Sequence, residues 1–423
     1  MRLRRWRVGP AGEEAVQGLG HDAFQVGAVD NAHGIGPSRW PVARGRMVRP
    51  RRGGRELASK LTLRRPQVAD RVKAGLIGCG AISPKHLNGF RNNDIELVAV
   101  CDLIEERMAK AIDDYGDPST RAVVDYRDLL AMDEIEMVSI ATPPALHGPM
   151  SIDAMRAGKH VMCEKPCVTS VAEAEQVKRV AGETGQLIVF LGARFRYGMP
   201  QMAKSYIDDG DLGEIYRVNV KYYRRRGRPG VDILEGIHWF VDRARAGAGV
   251  MMDMGVYFMD TVIWLTGAPP ITAVSASEFR GFDHDLPEDV TFDVEEHSNI
   301  LARTDTDLTY TFDLAWIAHH EPVQAVEVLG TRGGIVMQQG DPPFTFYTDK
   351  GGPWHWMNTT TEWRHREDAQ TCMVRDFVRA MGGDDPGVGT NPLEALRITE
   401  LSEMAIRSGN LAREVSADEL NRS

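Results

Sequence analysis

VKAGLIGCGAIS, residues 72–83, places a glycine-rich turn directly behind an apolar strand. A second apolar run, ELVAVC at 96–101, ends on Asp102, twenty-two residues beyond Gly80. A dinucleotide needs its parts in this order. Gly78 permits the tight turn out of the strand and Gly80 lets backbone approach a pyrophosphate. The helix that opens through Ala81 and Ile82 then points its first N–H groups at the phosphates. A carboxylate closing the second strand takes the ribose hydroxyls of an adenosine. Ser83 stands where the fingerprint has its third small residue, and it still allows close helix–strand packing. The charge of Asp102 repels a 2′-phosphate and Leu103 brings no cation, so NAD is favoured over NADP, with Arg107 as the counterweight.

Outward from this stretch, strand and helix alternate. Apolar runs at 72–77, 96–101, 136–142, 159–163 and 186–192 are interleaved with helical stretches near 82–91, 104–115, 147–157 and 170–184. Near-continuous apolar strands are buried on both faces, which predicts a doubly wound parallel sheet: a Rossmann NAD(P)-binding domain over 71–193. Beyond it the period changes. A short helix (198–209), an alternating strand (214–224) and a helix at about 254–266 precede period-two segments at 272–280, 290–303, 308–317, 323–329 and 334–339. Two helices follow, 368–381 and 393–408, with Pro392 at the start of the second and Gly409 placed just past its end. The fold class is therefore α/β: the Rossmann sheet plus, over 194–423, an α+β substrate domain with a large, mostly antiparallel sheet and C-terminal helices.

The chain has 423 residues, 43% hydrophobic and 26% charged, enough for two or three cores. The most apolar segment, 250–265, is broken by Asp253 and Asp260, so no membrane span is expected. Five cysteines without a C-x-x-C pair read as free thiols in a reducing compartment, which predicts a cytoplasmic protein. Residues 1–70 carry 14 Arg and Lys against 6 Asp and Glu, whereas the chain as a whole has a net charge of −10. This basic, Gly- and Pro-rich extension reads as disordered, or as partly untranslated if synthesis starts near Met47. No nucleic-acid recognition fold accompanies it, so no nucleic-acid partner is expected.

Three positions carry chemistry beyond cofactor binding. Lys165, in Cys163-Glu164-Lys165-Pro166, follows the fifth strand at the sheet edge where ligands bind, and the proline biases it toward extended backbone. Asp253 and Tyr257 are four residues apart at the start of an apolar helix, so carboxylate and phenol share one face, with Asp260 a turn further on. Taken alone, each also reads as structure: a surface lysine, a helix N-terminal acid, a core aromatic.

From Val72 onward the chain resembles the glucose–fructose oxidoreductase / inositol dehydrogenase / MocA family of NAD(P)-dependent sugar dehydrogenases. The matching pieces are GLIGCGAISPKHL, ELVAVCD, VSIATPPALHGPM, AGKHVMCEKP and AGAGVMMDMGVYFMDTVIWLTG. The resemblance implies that Lys165 is the catalytic or substrate-orienting lysine and that Asp253 opens the family's D-x-x-x-H motif. Its histidine position holds Tyr257, a departure that some members share. It also implies that Thr142, Pro143 and His147 form the nicotinamide-side loop, that Glu164 and Lys165 bind the cofactor, and that members assemble as dimers or tetramers through the open sheet face; His147 reads equally as a helix-start residue packed on the strand. A free tyrosine is a poor base at neutral pH, and a neighbouring ammonium favours its phenolate. Tyr257 is accordingly assigned as acid/base, Lys165 as hydroxyl orienter, and Asp253 as acceptor for a sugar hydroxyl or for Lys165.

Other positions are placed more loosely. Arg194, Arg196 and the stretch from His238 to Asp242 are expected to line the substrate pocket, with Trp239 stacking on a sugar face. The arginine run at 224–228 is expected on a loop that contacts a neighbour or solvent, and His86 in a structural role. His319 and His320 lack ligand spacing, so no metal is expected. The leading expectation is an NAD-dependent dehydrogenase or reductase for a secondary hydroxyl of a sugar, glycoside or cyclitol. The alternatives are an NAD-dependent glycosidase using a transient oxidation, and a non-catalytic dinucleotide sensor.

Overall fold

A computed structural model describes residues 71–234, 236–349, 356–361, 367–384, 387 and 389–420. The basic extension, residues 1–70 with Met47, lies outside the described residues.

Six parallel strands form the first sheet: β1 (Lys73–Ile77), β2 (Glu96–Cys101), β3 (Arg121–Val123), β4 (Met137–Ile140), β5 (His160–Cys163) and β6 (Ile188–Phe190). Their order is β3-β2-β1-β4-β5-β6, so the chain reverses direction between β1 and β4. That switch point opens a crevice at the carboxyl ends of the two strands. Four consecutive residues of β1 and all of β4 are buried, as a sheet covered on both faces requires. The short strand β3, with two of its three residues exposed, has no such apolar run and escapes a reading based on one.

The second sheet has nine strands in the order β14-β13-β12-β11-β7-β10-β9-β8-β15. They are β7 (Ile215–Tyr223), β8 (Ile271–Phe279), β9 (His297–Thr304), β10 (Thr309–Ala315), β11 (Val323–Gly330), β12 (Gly333–Gln338), β13 (Phe344–Thr348), β14 (Met357–Thr361) and β15 (Val415–Ser416). Among the described residues of this sheet, β7 and β10 are the one parallel pair. Burial alternates along β9 and β10, because one face meets helices and the other is open. The expected strand over 290–303 begins only at His297; the residues before it form a connection. β13 and β14 go beyond the sequence reading.

Against this sheet lies the helix Val256–Leu265, in which every residue except Trp264 is buried. Its apolar character on all sides follows from that position. By length and hydropathy the segment Arg243–Leu265 would suffice to cross a membrane, contrary to the expectation that its aspartates disqualify it, yet 83% of that window is buried inside the fold. Asp260 is neutralised within it: the fully buried Arg196 donates to Asp260 at 2.5 Å and pairs with Glu394 at 2.9 Å, while Thr390 donates to Asp260. Arg196 therefore joins three chain segments and does not line a pocket. The C-terminal helix runs Pro392–Leu411, through Gly409, where a Cβ would meet the Glu278 side chain at 3.0 Å. Gly409 thus serves a close approach rather than ending the helix, whose cap is Ala412 in the left-handed region. The helix Ala369–Met381 returns to the first lobe, where Met373, Val374 and Phe377 complete the core around Leu87 and Phe90.

Replacing Arg196 with Met leaves two buried carboxylates without their cation. Chemical denaturation is expected to show a loss of about 3–5 kcal/mol. A loss below about 1 kcal/mol would remove the network from the fold's essential contacts.

Candidate active site

The glycine turn is built as its residue types require. Gly78 sits at φ +97°, and a Cβ there would lie 2.5 Å from the Ala141 carbonyl oxygen. Its N–H donates to the Cys101 carbonyl at 2.8 Å. Around Gly80 nothing lies within 4 Å of a Cβ, which leaves backbone open to an approaching group. Ser83 closes the turn by donating its hydroxyl to the Gly80 carbonyl at 2.7 Å. Ala81 is exposed and Ile82 half-buried beside it. Asp102 accepts the Cys79 N–H at 2.8 Å and the Ile104 N–H at 2.9 Å. Each oxygen keeps lone-pair capacity for a hydroxyl, and among the described residues no side-chain cation pairs with it. On the far side of the crevice the Thr142 hydroxyl is buried without a partner, and Pro143 next to it is exposed. An open glycine backbone, a carboxylate locked at the end of β2 and an orphaned hydroxyl across from them fit a dinucleotide.

His147 has no exposed surface. Its ring lies 2.7 Å from the Pro166 carbonyl and 2.9 Å from the Thr142 carbonyl, so it braces two loops and is not a cofactor contact. Burial pulls its pKa below the ordinary histidine value against those two hydrogen bonds. Glu164 is likewise turned inward and is not a cofactor ligand: it accepts the Lys165 N–H at 2.9 Å and meets His86 at 3.2 Å and Arg194 at 3.3 Å.

Lys165 and Tyr257 come from different lobes and meet. The Lys165 ammonium donates to the Asp253 carbonyl at 2.7 Å and to its carboxylate at 3.1 Å. It stands 4.9 Å from the centre of the Tyr257 ring. Burial would lower the Lys165 pKa, but the facing Tyr257 and Asp253 charges outweigh that and raise it. Burial raises Asp253 in turn, and Lys165, Arg224 and the Trp316 indole overcome this to hold it below the usual carboxylate range. The Trp316 indole donates to Asp253 at 2.9 Å. Residues 251–255 form a π-helical turn leading into the Val256–Leu265 helix, so the helix reaches back to Asp253 with one widened turn.

Two contacts exceed the sequence reading. Arg194 donates to the Tyr257 hydroxyl, and Phe195 stacks on the Tyr257 ring with centroids 4.3 Å apart. Arg224 is not on a solvent loop: it lies 3.6 Å from Asp253 and donates to the Tyr222 hydroxyl at 2.6 Å. Arg228 is fully buried on Asp232 and Glu296. His86 joins Glu164 to Ser139, 2.6 Å away. Arg224 and His86 carry no local motif, since their roles depend on which strand ends become neighbours. Trp239 stacks on Phe240 at 3.9 Å and is half-buried.

A Rossmann lobe whose carboxyl-end crevice receives a phenol and a carboxylate from a second, sheet-based lobe defines a two-lobed dinucleotide-binding protein. Residues 72–192 match the model of an oxidoreductase family with an NAD-binding Rossmann fold, and residues 201–336 match the GFO/IDH/MocA C-terminal domain. The chain belongs to the glucose–fructose oxidoreductase / inositol dehydrogenase / MocA family, and its nucleotide cofactor is NAD. It is 29% identical over 212 residues to D-glucoside 3-dehydrogenase of Escherichia coli (strain K12), covering 49% of this chain and 58% of that protein. It is 33% identical over 156 residues to inositol 2-dehydrogenase of Salmonella typhimurium, covering 36% and 46%. These alignments span about half the length of the relatives. The solved structure of an oxidoreductase domain protein from Kribbella flavida superposes with a TM-score of 0.69 at 22% identity, covering 82% of this chain and 99% of that one.

Burial works against ionised Glu164, but Arg194, His86 and the Lys165 N–H hold its pKa far below the ordinary 4.5. A depressed folded pKa gives stability that is present above 4.5 and lost as pH falls below it. Urea midpoints taken between about pH 6 and pH 3 are expected to fall less steeply in Glu164→Gln than in the parent. Parallel acid limbs would show that this carboxylate is not linked to folding.

Proposed function

We propose that the protein is an NAD-dependent dehydrogenase that oxidises a secondary hydroxyl of a sugar, glycoside or cyclitol. The observation that carries this reading is the meeting of Lys165 and Tyr257 over Asp253 at the crevice where the Rossmann strands end. Bound NAD supplies the hydride acceptor. Lys165, charged and tied to Asp253, orients the reacting hydroxyl by donating to its oxygen. Tyr257 takes the hydroxyl proton. Asp253 is engaged by Lys165, Arg224 and Trp316, and it acts on the substrate through the Lys165 ammonium that it orients. Phe195 covers one face of the phenol and keeps water from it. Trp239 forms a half-buried apolar plate with Phe240 suited to a sugar ring.

Relatives named for glucoside and inositol oxidation support this chemistry over the glycosidase and sensor readings. Leu103, 85% exposed beside the unpaired charge of Asp102, supports NAD over NADP. All five cysteines are free and buried, which supports a reducing, cytoplasmic setting. The open face of the second sheet, with a groove between Ser275, Asn299, Thr311 and Asp313, is the surface we assign to a second copy in a homo-oligomer.

NADH absorbance with the purified chain and a panel of aldoses, glucosides and polyols tests the reading. Multiple turnovers are expected with at least one compound. Lys165→Met and Tyr257→Phe are each expected to lower the rate by about 10²–10⁴. Retention of turnover in both variants would overturn the assignment.

A further inference from the structure

We propose that Arg224 is a positioning residue for the reaction: with Trp316 it holds the second carboxylate oxygen of Asp253, so that the first oxygen and the Asp253 carbonyl aim the Lys165 ammonium. This rests on the reading of Lys165 as hydroxyl orienter and adds the residue that sets its direction. Three observations carry it.

First, the topology delivers Arg224 to this carboxylate. β7 and β10 run parallel with Tyr223 opposite Ala315, and the Arg224 N–H donates to the Ala315 carbonyl at 2.9 Å. Arg224 and Trp316 are the next residues after the two strands, so they leave the sheet side by side. Both reach the same Asp253 oxygen, the Trp316 indole at 2.9 Å and the Arg224 guanidinium at 3.6 Å. Lys165 takes the other oxygen at 3.1 Å and the Asp253 carbonyl at 2.7 Å. A carboxylate gripped at both oxygens resists turning about its bond, and the ammonium bonded to it keeps its direction.

Second, the guanidinium is itself fixed. Its Nε donates to the Tyr222 hydroxyl and its Nη1 to the Gly227 carbonyl, each at 2.6 Å. The planar fork makes both bonds and still faces Asp253, a geometry that the point charge of a lysine does not reproduce. The Gly227 carbonyl is a firm anchor, because the next residue, Arg228, is fully buried on Asp232, Glu296 and the Asp283 carbonyl.

Third, the arginine occupies the space that the glycine leaves. A Cβ on Gly227 would lie 2.8 Å from the Arg224 Cδ, well inside the separation of about 3.5–4.0 Å at which carbon atoms pack. Alanine at 227 therefore displaces the Arg224 side chain while removing no polar group. Arg224 acts on the substrate only through Asp253 and Lys165, so its effect falls on the placement of the hydroxyl during the reaction.

A double-mutant cycle tests the proposal, using NAD and the fastest compound of the substrate panel. Parent, Arg224→Gln, Gly227→Ala and the double variant are compared, with kcat expressed per NAD bound so that unfolded chain does not count. Arg224→Gln is expected to lower kcat about 10- to 100-fold and to leave the NAD dissociation constant within about twofold. Gly227→Ala is expected to lower kcat in the same direction, and to add nothing further in the Arg224→Gln background. Parental kcat in either single variant, or losses that multiply in the double variant, overturn the proposal. If the glutamine variant does not fold, the alanine variant alone keeps the test decisive. Lys165→Met, run alongside, separates two kinds of failure. Turnover kept by Lys165→Met removes the reading of Lys165 itself; turnover lost there but kept by Arg224→Gln removes the role of Arg224 alone.

Discussion

The contact between Lys165 and Asp253 is the constraint on which the site depends, because each partner belongs to a different lobe and neither is stable there alone. Both side chains are largely removed from solvent, 15% and 11% exposed. Desolvating one of them without the other would cost several kcal/mol. The pair therefore forms only if the lobes close on each other, and its geometry fixes where the end of β5 stands relative to the helix that carries Tyr257. Trp316, fully buried directly behind β10, occupies the second Asp253 oxygen and ties the pair to the large sheet. The ammonium that this crevice presents thus has its direction already set by the fold.

How much of this could be read from the chain depends on whether the signal is local. The glycine turn was legible because a positive φ at Gly78 and an open approach at Gly80 are properties of single residues in a strand–turn–helix context. Lys165 behind its strand and Asp253 with Tyr257 at helical spacing each read equally well as structure on their own, and it was the family resemblance that singled them out. Arg194 carries no such mark: its partner Tyr257 is sixty-three residues away, and only the topology brings them together. The same holds for Arg224, read as a surface loop because arginines in a row are usually solvated, yet drawn inward by Asp253 and Tyr222. Arg196 erred in the other direction: two residues from Arg194 and of the same type, it serves the interior because Asp260 and Glu394 are there. A residue's type gave its chemistry, whereas its long-range partners decided its use.

His147 and Glu164 make the same point inside the cofactor crevice. Both stand in motifs that line it, and both spend their polar atoms on the protein: His147 on two backbone carbonyls, Glu164 on His86, Arg194 and a backbone N–H. A buried polar group without partners is expensive, so these residues brace the crevice, whereas the Gly80 backbone, the Asp102 carboxylate and the Thr142 hydroxyl keep capacity for further partners. Rigidity of this kind matters most where a charge must move by a fraction of an ångström.

The large sheet earns its place through the turn that precedes Tyr257. Glu295, in the connection before β9, accepts the N–H of Gly249 at 2.8 Å and of Met251 at 3.1 Å, and its own carbonyl accepts the Val250 N–H. These donors lie at the entry of the π-helical turn, where a helix has unsatisfied N–H groups and fraying starts. A Cβ on Gly249 would sit 1.9 Å from the Glu295 carbonyl oxygen, so the approach requires glycine at that position. The segment that presents Asp253 and Tyr257 is clamped at its start by Glu295 and at Asp260 by Arg196, two contacts that oppose rotation about its axis. The nine-stranded sheet thus acts as a rigid base that delivers a phenol to a fixed point above another domain's crevice, and the widened turn sets the angle at which it arrives.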